Sequence, residues 1–528
     1  MLAGSLVAQD RYMVFFKDKA NSTFSTSSPL AFLSQRSIDR RVKHNASITE
    51  EDLPVNATYV QTLKTTGAVV YFTSRWMNAA LVEMSSSLEA TVLGLPMVES
   101  IEFVAPNSKL SFVKDEFTIA QTFTNPSTIS ASTDAQIQML GADQMHTDGY
   151  TGDGMLIAVF DGGFSGVNLN SPFQHIYDDN RIIAELDFVE NSGNPYQYGD
   201  HGTKVLSCIA GSYFAGENSF IGTAPDATFI LAVTEEVATE YRVEEYNWLL
   251  AAEYADSAGV DVISSSLGYT DFDDNSLYQM NYSYEDMDGQ TTVISRAANL
   301  ASSKGMLVVN SAGNSGNRSW YYIGSPADSP EVLAVGAVDG SETKASFSSF
   351  GPSFDGRIKP DVAAMGEQAT VVNSSGNIIQ NNGTSFAAPL MAGFVSCIAQ
   401  KFPSLTSYEI IEIIKASGDQ FDAPDNNLGY GIPNYIDVLE ESLTLGSDIT
   451  VYQAFRVYPN PMQWSVTIEH SAKEVAYHLV NLEGKTLAKG VLSFDESLLE
   501  IDPSMEAGVY FLQLRSDGNS ETIKLLKN

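Results

Sequence analysis

The chain has 528 residues, 44% of them hydrophobic, a formal net charge of −36 and two cysteines. It is too long for one average domain and apolar enough for at least one sizeable core. The charge argues against nucleic acid or an anionic membrane as partner, because a polyanion is repelled, and no apolar run approaches the roughly 20 residues of a membrane span.

The acidity is uneven. Residues 1–110 hold ten Lys+Arg and ten Asp+Glu, residues 111–450 twelve against forty-five, and residues 451–528 seven against ten. Three modules are therefore expected, the middle one strongly acidic. Met1 to Gln9, with Leu6-Val7-Ala8, reads as the remnant of a secretory signal. Residues 10–105 predict a small, self-contained α+β unit: strand Tyr12 to Phe16, helical Pro29 to His44, strand Val69 to Phe72, helical Ser86 to Leu93 and strand Val98 to Phe103. Residues 106–135, rich in Ser, Thr and Asn with Pro106 and Pro126, read as a linker or processing region.

Residues 136–445 alternate strands and helices, which predicts an α/β module with a mostly parallel sheet flanked by helices. Leu156 to Phe160 is a short apolar run suited to a buried parallel strand, and it ends on Asp161. Lys204 to Ala210 reads as a helix stopped by Gly211, Thr228 to Val233 as a strand, and Val243 to Ala258 as a helix stopped by Gly259. Strand Val260 to Ser264, helix Thr291 to Lys304 with Gly305 as its stop, and strands Met306 to Asn310 and Val332 to Val338 follow. The connection Tyr269 to Gln290 has six acidic residues and no Lys or Arg, but no carboxylate loop with calcium-ligand spacing, so it reads as a solvated acidic loop. Residues 450–528 break into short strands (Phe455 to Tyr458, Ser465 to Glu469, Ala476 to Asn481, Val509 to Leu514, Glu521 to Leu526) with turns Glu483-Gly484 and Asp517-Gly518, the pattern of a small β-sandwich.

Chemistry concentrates at Asn382-Gly383-Thr384-Ser385-Phe386-Ala387-Ala388-Pro389, after which Leu390 to Ala399 is apolar on nearly every face, as a buried central helix would be. Ser385 at the mouth of that helix would meet unpaired backbone N–H groups and the positive end of the dipole, both of which favour an oxyanion. Pro389 fits near the first turn, where a missing N–H costs least. The plain alternative is an ordinary Gly-Thr-Ser helix cap. A serine nucleophile needs a base. Among the six histidines, His44 lies in the first module and His470 and His478 in the last; His146 and His175 read as surface or structural, and His201 in Asp200-His201-Gly202-Thr203 opens a helix. A carboxylate must then orient the imidazole, and Asp161, ending a buried strand in Asp161-Gly162-Gly163, stands where sites assemble in parallel sheets. Cys208 and Cys397 read as buried small hydrophobes.

The order Asp161, His201, Ser385 resembles that of the subtilisin-like serine proteases. The resemblance rests on Val159-Phe160-Asp161-Gly162-Gly163, Asp200-His201-Gly202-Thr203, Ser266-Leu267-Gly268, Ser311-Ala312-Gly313-Asn314, Ser325-Pro326-Ala327, Lys359-Pro360-Asp361 and Gly383 to Pro389. It implies a subtilisin-like fold with Ser385 as nucleophile, His201 as base and Asp161 orienting it, and with the Asn314 side-chain amide in the oxyanion hole. Ser266-Leu267-Gly268 would be an edge against which substrate backbone pairs, and Ser311-Ala312-Gly313 a wall of the primary specificity pocket with room for a bulky apolar side chain. Ser325-Pro326-Ala327 matches a turn often holding a cis proline. Gly162 and Met365-Gly366 depart from the family pattern. The first module resembles an inhibitory propeptide. The tail, with Val457-Tyr458-Pro459-Asn460-Pro461, Ala507 to Phe511 and Lys524 to Lys527, is similar to the C-terminal sorting domain of the type IX secretion system in Bacteroidetes; a generic adhesion or binding sandwich is the alternative.

The resemblance implies a secreted serine endopeptidase made as an inactive precursor, extracellular or at the cell surface, with protein or peptide substrates, its own propeptide and the type IX machinery as partners. No cofactor or metal is expected for the chemistry, and a structural calcium stays open. A binding or adhesion protein on an inactive protease scaffold is the competing reading, and an esterase or peptide ligase would use the same acyl-enzyme.

Overall fold

The computed structural model describes residues 9–106, 122–215, 218–273 and 280–448, and in the tail 456–458, 462, 465–469, 474–481, 485–493, 498–502, 505, 508–516 and 519–527. The signal remnant over residues 1–8, most of the linker, the middle of the acidic connection, His470, Pro459-Asn460-Pro461 and the turns Glu483-Gly484 and Asp517-Gly518 lie outside the described residues. The chain divides into two compact units, Met1–Leu439 and Glu440–Asn528.

The first unit opens with an antiparallel sheet of strands β1 (Asp10–Phe16), β2 (Val69–Ser74), β3 (Ala79–Met84) and β4 (Val98–Ala105), in the order β2-β3-β1-β4. Successive residues of a strand point to opposite faces, and here both faces are apolar. Tyr12, Val14, Phe16, Ala80 and Val82 join one core with Leu63 and Val92. Met13, Ala79, Leu81 and Ala105 join another that runs on into Trp248, Leu250 and Ile263 of the module that follows. The sequence reading of a self-contained unit is thereby corrected: one face of this sheet has no core of its own and is buried against its neighbour. Three elements were not foreseen, the 3-10 turn Glu50–Asp52, helix Ala57–Thr65 and β3, and the helical stretch Pro29 to His44 is divided into a 3-10 turn, Pro29–Ala31, and a helix, Gln35–Lys43. The helix starts where the Ser34 side chain accepts a hydrogen bond from Ser37 N, a cap that sets its boundary.

Charge locks this sheet-and-helix layer in place. Asp256, fully buried in helix Val243–Ala258, receives the guanidinium groups of Arg40, Arg41 (2.7 Å) and Arg75. Arg41 also pairs with buried Asp52 at 2.7 Å. In the same helix Glu253 accepts Arg75 N at 2.9 Å and Trp76 N at 3.2 Å. Buried charges are tolerated only when paired in this way.

The remainder of the first unit is built on a parallel sheet of β5 (Leu156–Asp161), β6 (Ile182–Asp187), β9 (Thr228–Val233), β10 (Val262–Ser265), β11 (Leu307–Ser311), β12 (Val332–Val338) and β13 (Val362–Met365), ordered β13-β12-β11-β10-β5-β9-β6; a small hairpin, β7 (Ser212–Ala215) with β8 (Asn218–Ile221), lies outside it. A second hairpin pairs β14 (Ala369–Val372) with β15 (Ile378–Asn381). β5, β10, β11 and β12 are buried throughout because helices cover both faces. Strand order reverses at β5, so the carboxyl ends of β5, β9 and β10 open onto a crevice. Helix Thr384–Lys401, buried from Thr384 to Ala399, packs against β10 through β13.

The second unit carries β16 (Arg456–Tyr458), β17 (Ser465–Glu469) and β20 (Leu498–Glu500) in one sheet, and β18 (Glu474–Asn481), β19 (Thr486–Ser493), β21 (Gly508–Ser516) and β22 (Asn519–Lys527) in the other. Val466, Ile468 and Leu499 of the first meet Leu479, Leu492, Leu512 and Leu514 of the second in one core, which makes a β-sandwich.

Removing the Asp256 carboxylate takes the paired carboxylate from buried Arg40 and Arg75 and leaves Arg41 with Asp52 alone. Asp256→Ala, in a chain also carrying Ser385→Ala, is expected to lower stability by roughly 3–5 kcal/mol, read as a fall in the urea midpoint.

Candidate active site

Asp161 ends β5, and its carboxylate is fully buried. Its Oδ1 accepts the Gly162 backbone N–H at 2.8 Å, and both its oxygens lie 2.9 Å from His201 Nδ1. His201 is the first residue of helix His201–Ala210. Two glycines let the partners approach. A Cβ on Gly202 would come 2.6 Å from the Gly163 carbonyl oxygen and 2.9 Å from Asp161 Cβ, and one on Gly162 would come 2.7 Å from Val237 and 3.3 Å from Glu235 Oε2. The departure noted at Gly162 therefore has a steric reason: the space a side chain would take is occupied by the loop after β9.

The charge of Asp161 is the foremost cause pushing the His201 imidazole up to about 9; burial pulls the other way, and Glu235 adds to the rise. With one nitrogen turned to the carboxylate, the other is left for a second partner.

Ser385 is 7% exposed, the second residue of helix Thr384–Lys401. The ring of Phe386, next along, lies 6.1 Å from the His201 ring, centroid to centroid. Among the described residues no hydrogen bond joins Ser385 Oγ to His201. Pro389 lies in the second turn, near the first as read from the sequence but past the positions whose N–H is free. The helix begins at Thr384, so the missing N–H is the one that would have bonded the Ser385 carbonyl. That carbonyl accepts Ser266 Oγ–H instead, at 2.9 Å. Ser266 thus braces the serine from below.

Asn314 is exposed at the crevice. Its Oδ1 accepts both Thr384 N and Thr384 Oγ1, each at 3.0 Å, which leaves the amide nitrogen pointing away from Thr384 as a donor. Leu267 is tied through its carbonyl to Asn310 Nδ2 at 2.9 Å, and Tyr269 N, just past Gly268, donates to the Ser325 carbonyl at 2.9 Å. Ser325-Pro326 is cis. Ser311 ends β11; Ala312 packs with Ile323, Ala327 and Ala334; Gly313 follows with φ +102°. All ten residues singled out from the sequence therefore line one side of the sheet, at the carboxyl ends of β5, β10 and β11 and at the mouths of two helices.

The other histidines have different work. His146 Nε2 faces the Thr223 carbonyl at 3.0 Å and His175 Nε2 the Pro225 carbonyl at 3.2 Å, while His44 Nδ1 accepts Ser407 N at 2.9 Å. Cys208 and Cys397 are free and fully buried, and burial pushes the Cys208 thiol up to about 12. The sequence reading passed over Glu235, Glu240 and Glu244, whose carboxylate oxygens lie within 4.8 Å of one another beside Asp161. The available signal was an acidic run between β9 and its helix, on the crevice side of the sheet.

Residues 152–431 match the model of the Subtilase family. Residues 11–120 match the Peptidase S8 propeptide domain of Bacteroidota, and residues 456–528 the Secretion system C-terminal sorting domain. Subtilisin E of Bacillus subtilis (strain 168) is 32% identical over 289 residues, 53% of this chain and 65% of that protein. Subtilisin of Bacillus pumilus is 31% identical over 289 residues, 90% of its length. Serine protease AprX of Bacillus subtilis (strain 168) is 29% identical over 356 residues, 62% of this chain and 75% of that protein. The chain thus spans a little under two thirds of subtilisin E and, at the same 65%, of subtilisin NAT. Among solved structures, MycP1 from Mycobacterium smegmatis aligns with a TM-score of 0.47 and 24% identity, over 62% of this chain and 89% of that one.

The His201 titration is directly measurable. A proton held at about 9 stabilises the fold below the ordinary imidazole value near 6.5, and that contribution is lost as pH rises through 9. In the Ser385→Ala chain, an NMR titration of the His201 ring is expected to give a midpoint well above 6.5, and Asp161→Asn to bring it down sharply. Gly202→Val, which drives a side chain into Asp161 and Gly163, is expected to displace the same midpoint.

Proposed function

The chain belongs to the subtilase family, and from that premise we propose that it is a secreted serine endopeptidase made as an inactive precursor, which hydrolyses peptide bonds through Asp161, His201 and Ser385. The observation that carries this reading is the buried Asp161 carboxylate facing His201 Nδ1 through both oxygens at 2.9 Å, with Ser385 at a fixed helix mouth alongside.

In this reading Ser385 Oγ attacks the peptide carbonyl while His201 Nε2 takes its proton. Asp161 keeps Nδ1 protonated, which directs Nε2 at the serine and stabilises the imidazolium that forms. The negative charge moves to the carbonyl oxygen, where the Asn314 amide and the Ser385 backbone N–H receive it. Thr384 fixes that amide by occupying its oxygen, so the donor is oriented before substrate arrives. His201 then returns its proton to the leaving amine, and water releases the acyl group by the same route in reverse. Serine chemistry of this kind draws on protein groups alone, so no cofactor is proposed.

The match of residues 11–120 to a propeptide domain, and the burial of Met13, Leu81 and Ala105 against the α/β module, support a precursor held inactive by its own first segment. The match of residues 456–528 to a sorting domain supports export to the cell surface or beyond, with the type IX machinery as partner.

Purified wild-type chain is expected to lose a segment ending beyond Ala105 and to digest casein. Ser385→Ala is expected to do neither, by intact mass and by peptide release. Asn314→Ala should retain roughly 10⁻² to 10⁻³ of the turnover, a magnitude carried over from a subtilisin rather than worked out for this chain. Casein hydrolysis by Ser385→Ala equal to wild type would remove the proposal.

A further inference from the structure

We propose that Glu235, Glu240 and Glu244, with the Tyr269 hydroxyl above them, form a subsite that takes a basic side chain, arginine or lysine, of the peptide substrate on the amino-terminal side of the scissile bond. This rests on the catalytic reading above and adds the substrate class.

The three carboxylates come from one segment. Glu235 and Glu240 lie on the loop after β9, and Glu244 in the first turn of helix Val243–Ala258. Their oxygens converge within 4.8 Å, so one cationic group placed among them would meet all three carboxyls at once. Glu244 is 1% exposed, and its Oε2 has no hydrogen-bond partner. Tyr269 is fully buried, its hydroxyl also has no partner, and the charges acting on it are those of Glu235, Glu244, Glu240 and Glu245. A buried carboxylate oxygen and a buried hydroxyl with no partner in the chain leave hydrogen-bonding capacity turned toward one place, which a substrate cation could take up. Burial pushes Glu235 up to about 7 and Glu240 up to about 8, so these carboxyls hold protons readily, and a cation placed beside them would favour the loss of those protons.

The position is right for substrate. Glu235 follows β9 by two residues, and β9 pairs Val233 with Asp161. Tyr269 directly follows Ser266-Leu267-Gly268, the proposed edge for substrate backbone. Two cations of the α/β module are committed elsewhere: Arg242 pairs with Glu102 at 3.1 Å and Lys204 with Asp200 at 2.9 Å.

The chain also supplies a guanidinium at the rim of this cluster. Arg11 in β1 is 3% exposed, faces Ala105 at the end of β4, and feels the charges of Glu236, Glu244 and Glu83. The propeptide-like sheet thus brings a basic side chain to the acidic patch while it covers the module. Once that segment departs, the patch loses this charge, and a basic residue of an extended peptide would restore it.

The test uses the full chain after its own maturation and quenched peptides that differ at one residue, arginine against norleucine, at the second, third or fourth position before the scissile bond. At one of these positions arginine is expected to raise kcat/KM by on the order of tenfold or more. Glu240→Gln and Glu244→Gln should bring that ratio towards one, and Glu240→Lys should turn it in favour of a glutamate peptide. Equal hydrolysis of arginine and norleucine peptides at every position would overturn this proposal alone. So would an arginine preference untouched by all three substitutions, or a calcium or manganese ion bound in titration calorimetry and lost in Glu240→Gln without any arginine preference. No hydrolysis of any peptide, by wild type and Ser385→Ala alike, would overturn the catalytic reading and this one together.

Discussion

The structure depends on one buried negative charge. Asp161 has no access to water, so its carboxylate must be met by hydrogen bonds or be neutralised. Gly162 N–H and His201 Nδ1 meet it, and each requires something of the fold. β5 must end where it does, in the centre of the parallel sheet. The helix that starts at His201 must press against β5 closely enough that only glycine fits at 202. The loop after β9 passes over Gly162 closely enough that Val237 and Glu235 would have to move to admit a side chain there. The chemistry at the crevice is the outward face of this requirement.

The serine is fixed by different physics. Helix Thr384–Lys401 is buried over most of its length, so it cannot shift without disturbing β10 to β13. Pro389 frees the Ser385 carbonyl, and Ser266 takes it up, so a residue read from sequence as substrate edge also anchors the nucleophile. The Thr384 contacts on Asn314 do the same for the proposed oxyanion donor. A serine at rest within such a frame needs little reorganisation when charge develops beside it.

Much of this was legible in the sequence. Buried parallel strands show as unbroken apolar runs, so Leu156 to Asp161, Thr228 to Val233 and Val332 to Val338 were placed to within a residue, and the glycine stops at 259 and 305 fell at helix ends. What failed to show was amphipathic or edge structure. β6 is only half-buried and β3 carries Glu83 at the edge of an apolar run, and neither gives a clean period. The two-faced burial of the first sheet was invisible because the unbroken apolar run Ala79 to Val82 of β3 does not say which neighbour covers which face. The clamp on Asp256 depends on Arg40 and Arg41 of one helix meeting Arg75, which follows β2, and a count of charges that balanced at ten and ten concealed it. Glu235, Glu240 and Glu244 were hidden in an acidic chain where carboxylates are common; their convergence comes from the loop, not from spacing.

The account stands or falls on whether Ser385 is a nucleophile activated by the Asp161–His201 pair. A fluorophosphonate reacts covalently with such a serine and with few others, so the matured chain treated with one and digested for mass spectrometry gives a direct reading. The account predicts one adduct, on the peptide holding Ser385, strongly reduced in His201→Ala and Asp161→Asn. An unmodified Ser385 in the matured wild-type chain, or labelling of Ser385 that is indifferent to both substitutions, would contradict it.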